Sequence, residues 1–123
     1  MPAILITVDD LEFRAELTNT PTAKKLWEAL PLEGQANLWG EEIYFSIPVS
    51  APQEPEAQQE VEVGSIAYWP VGEAFCIFFG PTPASRGNAP RAYSPVNILG
   101  NIEGDLTGLK NVKQGTQVRL AKA

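Results

Sequence analysis

Histidine is absent from this 123-residue chain, and its absence excludes several kinds of site. Without imidazole the chain has no Ser-His-Asp or Cys-His nucleophilic site and no zinc site that uses histidine. Histidine is also the commonest general base near neutral pH, so only carboxylate, lysine or tyrosine acid-base chemistry is left. We therefore expect neither a metal site nor a cofactor.

Cysteine is nearly absent, because Cys76 is the single example. One cysteine cannot form an internal disulfide, which favours a reducing compartment. Cys76 also lies within the apolar run 74–79 and has no histidine to activate its thiol. It is therefore a poor candidate for a nucleophile.

Basic residues and long apolar runs are scarce as well. Nine Lys and Arg against 15 Asp and Glu give a net charge of −6, which opposes binding to nucleic acid and to anionic membranes. The apolar start, residues 1–8, is too short for a secretory signal and is followed at once by two aspartates. No apolar run approaches the ~20 residues that cross a bilayer. We expect a cytoplasmic protein without nucleic-acid or membrane partners.

The residues that are present fit one domain over residues 1–123, since 44% are hydrophobic and can form a core without a disulfide or a metal. Segments 4–8 and 11–17 predict a hairpin with one solvated face. Thr20 as N-cap and Pro21 at the first helical position predict a helix over 20–30. Its apolar spacing places Trp27 in the core.

Further along, the pattern predicts strands and long loops. Alternation over 43–47 predicts a strand with one buried face, and the apolar run 74–79 predicts a strand buried on both faces. The proline-rich stretch 80–95 predicts a long structured loop. Closing strands follow near 96–102 and 116–120, with a short helical turn around 106–111. Together these elements predict a mainly β fold, a closed barrel of about eight strands with one main α-helix.

Three aromatic segments with Gly or Pro turns, at 39–45, 64–70 and 78–83, are typical of surfaces at strand ends. Adjacent strand residues point to opposite faces, so Glu41 and Glu42 cannot act together on one atom. Glu42 shares a face with Tyr44, although a solvated carboxylate at a strand end is the default interpretation. By the same rule one of Tyr68 and Trp69 packs inside while the other is free to line a groove.

Several segments in the same order resemble a family of proteins. They are WGEEIYFSIPV (39–49), VEVGSIAYWPVGEAFCIFFGPTPAS (61–85), SPVNILGNI (94–102) and the final segment from Val112 through Gly115 to Val118. Together they resemble the bacterial and archaeal cyclophilin-like family of small uncharacterised proteins, from Leu17 onward. The resemblance implies a cyclophilin-like fold, a closed β-barrel with helix at an open end.

This chain departs from related patterns at two places. Ser65 stands where the family pattern usually has Asp, so the role of that carboxylate does not transfer. True cyclophilin isomerases carry an arginine on the strand that corresponds to 39–45, and this chain has none there. No residue of the isomerase motif matches, so we expect no prolyl isomerase activity and carry over no catalytic residue.

We expect a ligand groove between the strand 39–47 and the loop 80–95, with Trp69 of the segment 64–70 beside it. The candidate ligand-binding residues are Trp39, Glu42, Tyr44, Trp69, Thr82, Arg86 and Arg91. The leading hypothesis is a binding module for a peptide or small organic ligand. The alternatives are an enzyme that uses Glu42 with a tyrosine for acid-base chemistry, and residual isomerase activity from pocket shape. An enzyme needs a desolvated Glu42 with a raised pKa, whereas a binding rim leaves it in water.

Overall fold

The computed structural model describes residues 2–123 and confirms a mainly β chain with one α-helix. The helix α1 spans Pro21–Ala29, and a short 3₁₀ helix spans Thr107–Asn111, where a helical turn was expected. Residues 2–123 form ten strands rather than about eight, since three of the strands are only two to four residues long and too short to give a sequence pattern. The strands are β1 (Ala3–Val8), β2 (Leu11–Leu17), β3 (Leu32–Gln35), β4 (Asn37–Leu38), β5 (Glu42–Ser46), β6 (Gln58–Glu60), β7 (Ser65–Trp69), β8 (Ala74–Phe78), β9 (Arg91–Glu103) and β10 (Gln117–Lys122).

Helix α1 begins and ends where its capping residues predict. The Thr20 hydroxyl accepts a hydrogen bond from the Ala23 backbone N–H at 3.2 Å, and Leu30 leaves the helical region before Pro31. Trp27 differs from the prediction, because its ring is half-buried rather than buried. It packs at the edge of the main core, with the Lys122 ammonium 4.9 Å from the ring centre.

The strands form one antiparallel sheet that rolls upon itself, in the order β3-β10-β1-β2-β9-β7-β8-β5-β4, with β6 paired to β9. The two edge strands, β3 and β4, are consecutive segments joined at Ala36. The Ala36 N–H donates to Thr116 O at 2.7 Å and its carbonyl accepts from Gly115 N at 2.8 Å. The expected barrel is therefore rolled, but hydrogen bonds between its edge strands do not close it.

Strand β8 is buried over its whole length, as the apolar run predicts. Phe75 and Ile77 point into the main core. Cys76 and Phe78 point to the other face and into a second, smaller cluster. This outer cluster consists of Val61, Ala67, Cys76, Phe78, Ala92 and Val96, with Tyr44, Trp69 and Ile98 partly buried against it.

The outer cluster is covered by the segment around β6 and by the first half of β9. Strand β9 begins at Arg91, so the predicted loop 80–95 ends at residue 90 and its last residues belong to the sheet. The long strand first pairs with β6 and then, from Asn97 onward, with β7. None of the helices within residues 2–123 is long and apolar enough to cross a membrane.

Candidate ligand-binding site

The turn between β4 and β5 sets the position of the first site residues. The Trp39 N–H donates to Glu42 O at 3.0 Å, and Gly40 adopts φ +60°, a left-handed conformation that favours glycine. A Cβ at Gly40 would lie 2.7 Å from the Thr82 Cα, so the turn packs closely against the following loop. A hydrogen bond of 2.9 Å from Glu41 N to Pro81 O fixes that contact.

Beside this turn, over the outer cluster, lies a small cavity of about 90 Å³. Its walls come from the β4–β5 turn and from strands β5, β7 and β9. The lining residues are Trp39, Glu42, Tyr44, Trp69, Ala92, Tyr93 and Val96. Four aromatic rings and one carboxylate therefore meet at a single concavity.

The four rings form a chain of edge-to-face contacts around the cavity. Trp39 and Tyr93 have ring centres 6.0 Å apart at 64°, and Tyr93 and Trp69 are 6.0 Å apart at 71°. Trp69 and Tyr44 complete the chain at 6.4 Å and 78°. Such geometry is the preferred one for aromatic pairs, so the rings hold one another in place. The Trp69 indole N–H also donates to Ser94 Oγ at 2.6 Å.

Tyr93 is the outermost ring, with 70% of its surface exposed, and its backbone is held by Gln59. The Gln59 side-chain amide donates to Ala92 O at 3.0 Å and to Tyr93 O at 3.2 Å. The Gln59 carbonyl oxygen accepts from the Arg91 guanidinium at 3.2 Å. The pairing of β6 with β9 shifts register here, so the Gln59 side chain, rather than a regular ladder of backbone hydrogen bonds, positions Tyr93.

Glu42 is the polar group of the cavity, and only 6% of its surface is exposed. Burial raises the pKa of its carboxyl from 4.5 to about 7, an effect that the neighbouring Cys76 thiol partly offsets. Burial and the neighbouring Glu42 raise the pKa of Cys76 in turn, so the thiol stays protonated. Within residues 2–123 no Lys or Arg forms an ion pair with Glu42.

The default interpretation of Glu42 as a solvated carboxylate is therefore wrong. Strand β5 pairs with β8 so that Glu42 lies opposite Phe78, beneath the aromatic rings. Its neighbour Glu41 points to the other side of the strand, is a third exposed, and has the Lys110 ammonium at 3.9 Å. Two adjacent glutamates thus have opposite environments, as strand geometry requires.

The structure brings Trp39, Glu42, Tyr44 and Trp69 together, but it places the other three candidates away from the cavity wall. The buried Thr82 hydroxyl donates to Arg91 O and accepts from Ala84 N, so it ties the loop to β9. Arg91 is directed to Gln59, and Arg86 is exposed on the loop. Neither arginine approaches Glu42 as an ion-pair partner.

The sequence interpretation missed Ala92, Tyr93 and Val96 as cavity residues. Pro90 and Pro95 suggested loop, because proline interrupts a strand pattern, and this obscured the strand that carries Tyr93. The prediction for the pair Tyr68 and Trp69 is correct. Tyr68 is buried and its hydroxyl donates to Val49 O at 2.6 Å, while the next side chain, Trp69, lines the cavity.

Comparisons with known proteins place this fold in a family. The structure is similar to the solution structure of the hypothetical protein AF2241 from Archaeoglobus fulgidus, with a TM-score of 0.84 and 38% sequence identity over 99% of this chain and 95% of that chain. No curated protein matches the chain. A model of the family described as Cyclophilin-like matches residues 2–121. Because the match covers nearly the whole chain, the protein belongs to the cyclophilin-like family.

Proposed function

We propose that this protein is a cyclophilin-like binding module whose cavity holds one group of a peptide or small organic ligand. The observation that supports it is the convergence of four aromatic rings and a buried carboxylate, from separate segments, on one concavity. Tyr and Trp rings at a rim offer large contact areas with little entropy to lose. No prolyl isomerase motif accompanies them, so the proposed activity is binding.

The cavity volume limits what is bound. Since water occupies about 30 Å³ per molecule in the liquid, a cavity of about 90 Å³ corresponds to about three water molecules and takes only a small end group of a few non-hydrogen atoms. A larger ligand then has to extend into solvent past Tyr93, the exposed side of the site. The module anchors a ligand by one end group and leaves the rest outside.

The cost of burying Glu42 supports a functional role for this carboxyl. A charged group without an ion-pair partner disfavours the folded state when it is desolvated, whereas an apolar side chain would pack there without this cost. Perturbed carboxyls in clefts are characteristic of functional sites. A ligand group that complements Glu42 recovers part of that free energy on binding.

Acid-base catalysis by Glu42 is the second candidate, because the burial of Glu42 and its raised pKa of about 7 meet the condition stated above for an enzyme and not the one for a solvated binding rim. Tyr44 lies beside Glu42 on the same strand face and supplies a hydroxyl to the same cavity. Two measurements distinguish the two functions. If Glu42→Gln loses turnover but retains ligand affinity, an enzyme is supported. If the wild-type protein leaves its ligand unchanged after prolonged incubation, a binding module is supported.

The three tryptophans offer a direct test of the cavity. Trp39 and Trp69 line it, whereas Trp27 lies on α1 beside the main core, so Trp27 serves as an internal reference. A library of small organic fragments and a Xaa-Pro tetrapeptide are titrated while the indole N–H signals are followed by NMR. We expect a binding fragment to shift the Trp39 and Trp69 signals and leave Trp27 unchanged. If no compound shifts those two signals selectively, the proposal is wrong.

A further inference from the structure

The cavity combines two features that favour positive charge. Ring faces carry negative electrostatic potential and attract cations within about 6 Å of the ring centre. Glu42 adds a carboxylate at the wall with no cationic partner within residues 2–123. The ammonium of Lys110 is at 3.9 Å from Glu41, on the other side of the strand, and does not neutralise Glu42. The complementary occupant is a small cation.

We propose that the cavity bounded by Trp39, Tyr44, Trp69 and Tyr93 binds a methylated ammonium head group, with Glu42 as its counter-ion. This inference rests on the proposed binding function of the same cavity. The rings contact the methyl groups and attract the charge, and the carboxylate supplies a full opposite charge in a site largely removed from water. The net charge of −6 aids the approach of any cation.

The hydrogen-bonding groups of the wall favour methylated over unmethylated cations. A primary ammonium has three N–H donors and a guanidinium has five, and each donor needs an acceptor when it is buried. The wall offers the Glu42 carboxylate and two tyrosine hydroxyls, and the remaining lining is apolar or indole. The Trp69 N–H is itself a donor and is already bonded to Ser94. Methyl groups remove the need for acceptors.

The head group has two possible sources, a free quaternary ammonium compound or a methylated lysine side chain on a peptide. Both present the same compact end group, and a cavity of about 90 Å³ that is open on one side favours such a small group over a bulkier one. Tyr93 is exposed at the open side, where the rest of either molecule would extend.

Binding should depend on pH through Glu42. The titratable groups that face it are the Cys76 thiol on β8, the Tyr44 hydroxyl on β5 and the Tyr93 hydroxyl across the cavity on β9. Burial raises the pKa of the Cys76 thiol, so the thiol stays protonated near neutral pH, and we assign the pH dependence to Glu42. Because the cation binds the ionised carboxyl, affinity should fall about tenfold from pH 8 to pH 6, across the Glu42 pKa of about 7.

The experiment compares choline with 3,3-dimethylbutan-1-ol, a neutral molecule of the same shape, by calorimetry and by the Trp39 and Trp69 indole signals. Tetramethylammonium and a pair of peptides, with trimethylated and unmodified lysine, distinguish the two sources. We expect choline to bind at least tenfold more tightly than its neutral analogue, and the trimethylated peptide more tightly than the unmodified one. Glu42→Gln should remove most of the preference for charge, and Glu41→Gln should retain it as the matched control.

The outcomes separate this inference from the function on which it rests. If the neutral analogue binds as tightly as choline or more tightly, and shifts the Trp39 and Trp69 signals, the preference for a cation is wrong and the proposed binding function stands. Equal binding of both peptides overturns the preference for methylation. If neither these probes nor the fragment library shifts the two indole signals, the binding function itself is overturned. A peptide that binds more tightly than choline identifies side chains as the source, and the reverse identifies free compounds.

Discussion

The two faces of strand β8 differ in how completely they are covered. Phe75 and Ile77 point into the main core, which the rolled sheet and α1 enclose. Cys76 and Phe78 point to the outer cluster, which has only a few apolar residues and is bordered by the open cavity. The inner face is closed and apolar, whereas the outer face contains a buried carboxyl beneath three half-buried aromatic rings and the exposed ring of Tyr93.

This difference indicates that one face of the sheet stabilises the fold and the other face forms the candidate site. Close packing on the inner face supplies most of the apolar burial that stabilises the fold. The desolvation of Glu42 on the outer face opposes folding. The protein tolerates this cost because apolar burial on the inner face offsets it. Substitutions on the two faces should therefore have effects of different kinds.

The largest expected effect is on the inner face. Phe75→Ala should lower the free energy of unfolding by about 3–5 kcal/mol, because it leaves a cavity in a fully buried core. Tyr44→Ala, on the half-buried outer face, should cost less than half as much. Chemical denaturation of both variants measures the difference. Equal losses would contradict the division between the two faces.

Glu42→Gln should stabilise the protein in a pH-dependent manner. The folded-state pKa of about 7 lies above the ordinary value of 4.5 for a glutamate, so desolvation destabilises the fold fully above pH 7 and not at all below pH 4.5. The variant should gain about 3 kcal/mol at pH 8, the free energy that corresponds to the raised pKa of Glu42, and nothing at pH 4. Denaturation curves of wild type, Glu42→Gln and the control Glu41→Gln at several pH values measure it. A gain that is independent of pH would show that Glu42 is not desolvated.

Truncating the outer rings should affect binding more than stability. Tyr44→Ala and Trp69→Ala should each weaken the affinity for a cavity ligand, with choline as the probe, by more than about 1 kcal/mol, because each removes one wall of the cavity. Titration calorimetry gives the affinities, and Trp27→Phe is the control. Unchanged affinity in both variants would place the ligand elsewhere.

Gln59 should act as a positioning residue, with a smaller effect. Gln59→Glu keeps an acceptor for Arg91 but loses both donated bonds to the Ala92 and Tyr93 carbonyls, so ligand affinity should fall a few-fold, on the order of 0.5–1 kcal/mol. The Tyr93 ring signals of the free protein should shift in the same variant. Gln58→Glu, on the exposed neighbour, is the matched control and should change neither measurement.

Prolyl isomerase activity should be negligible, because the chain has no histidine and no arginine on the strand 39–45. NMR exchange on a Xaa-Pro peptide measures the slow uncatalysed step and any acceleration of it. Acceleration far above background that disappears in Trp69→Ala would show that the shape of the cavity alone is sufficient for prolyl isomerase activity. The prediction of negligible activity would then be wrong.

Much of the fold could be predicted from the sequence, because its signals are local. The Thr20 cap, the hairpin of β1 and β2 and the apolar run of β8 each follow from a pattern among near neighbours in the chain, and the structure confirms them. The burial of Trp27 was predicted only in part. Helical periodicity gives the face on which a residue lies, but the half-burial of this ring depends on what covers that face.

The candidate site could be predicted only in part. The parity rule placed Glu42 with Tyr44 and separated Tyr68 from Trp69, and these follow from strand geometry alone. Thr82, Arg86 and Arg91 were predicted as site residues from the composition of the segment 80–95. In the structure Thr82 and Arg91 form hydrogen bonds away from the cavity.

By itself, then, the sequence determined which residues form strands and helix, and which side chains share a face, because these depend on near neighbours along the chain. Only the tertiary structure decided that Glu42 is buried and that Tyr93 completes the ring of aromatics. Burial and convergence depend on which strands pair across the sheet and what covers them. In this protein the pairing of β5 with β8, and of β9 with β6 and β7, joins residues that lie 28 to 38 positions apart in the chain.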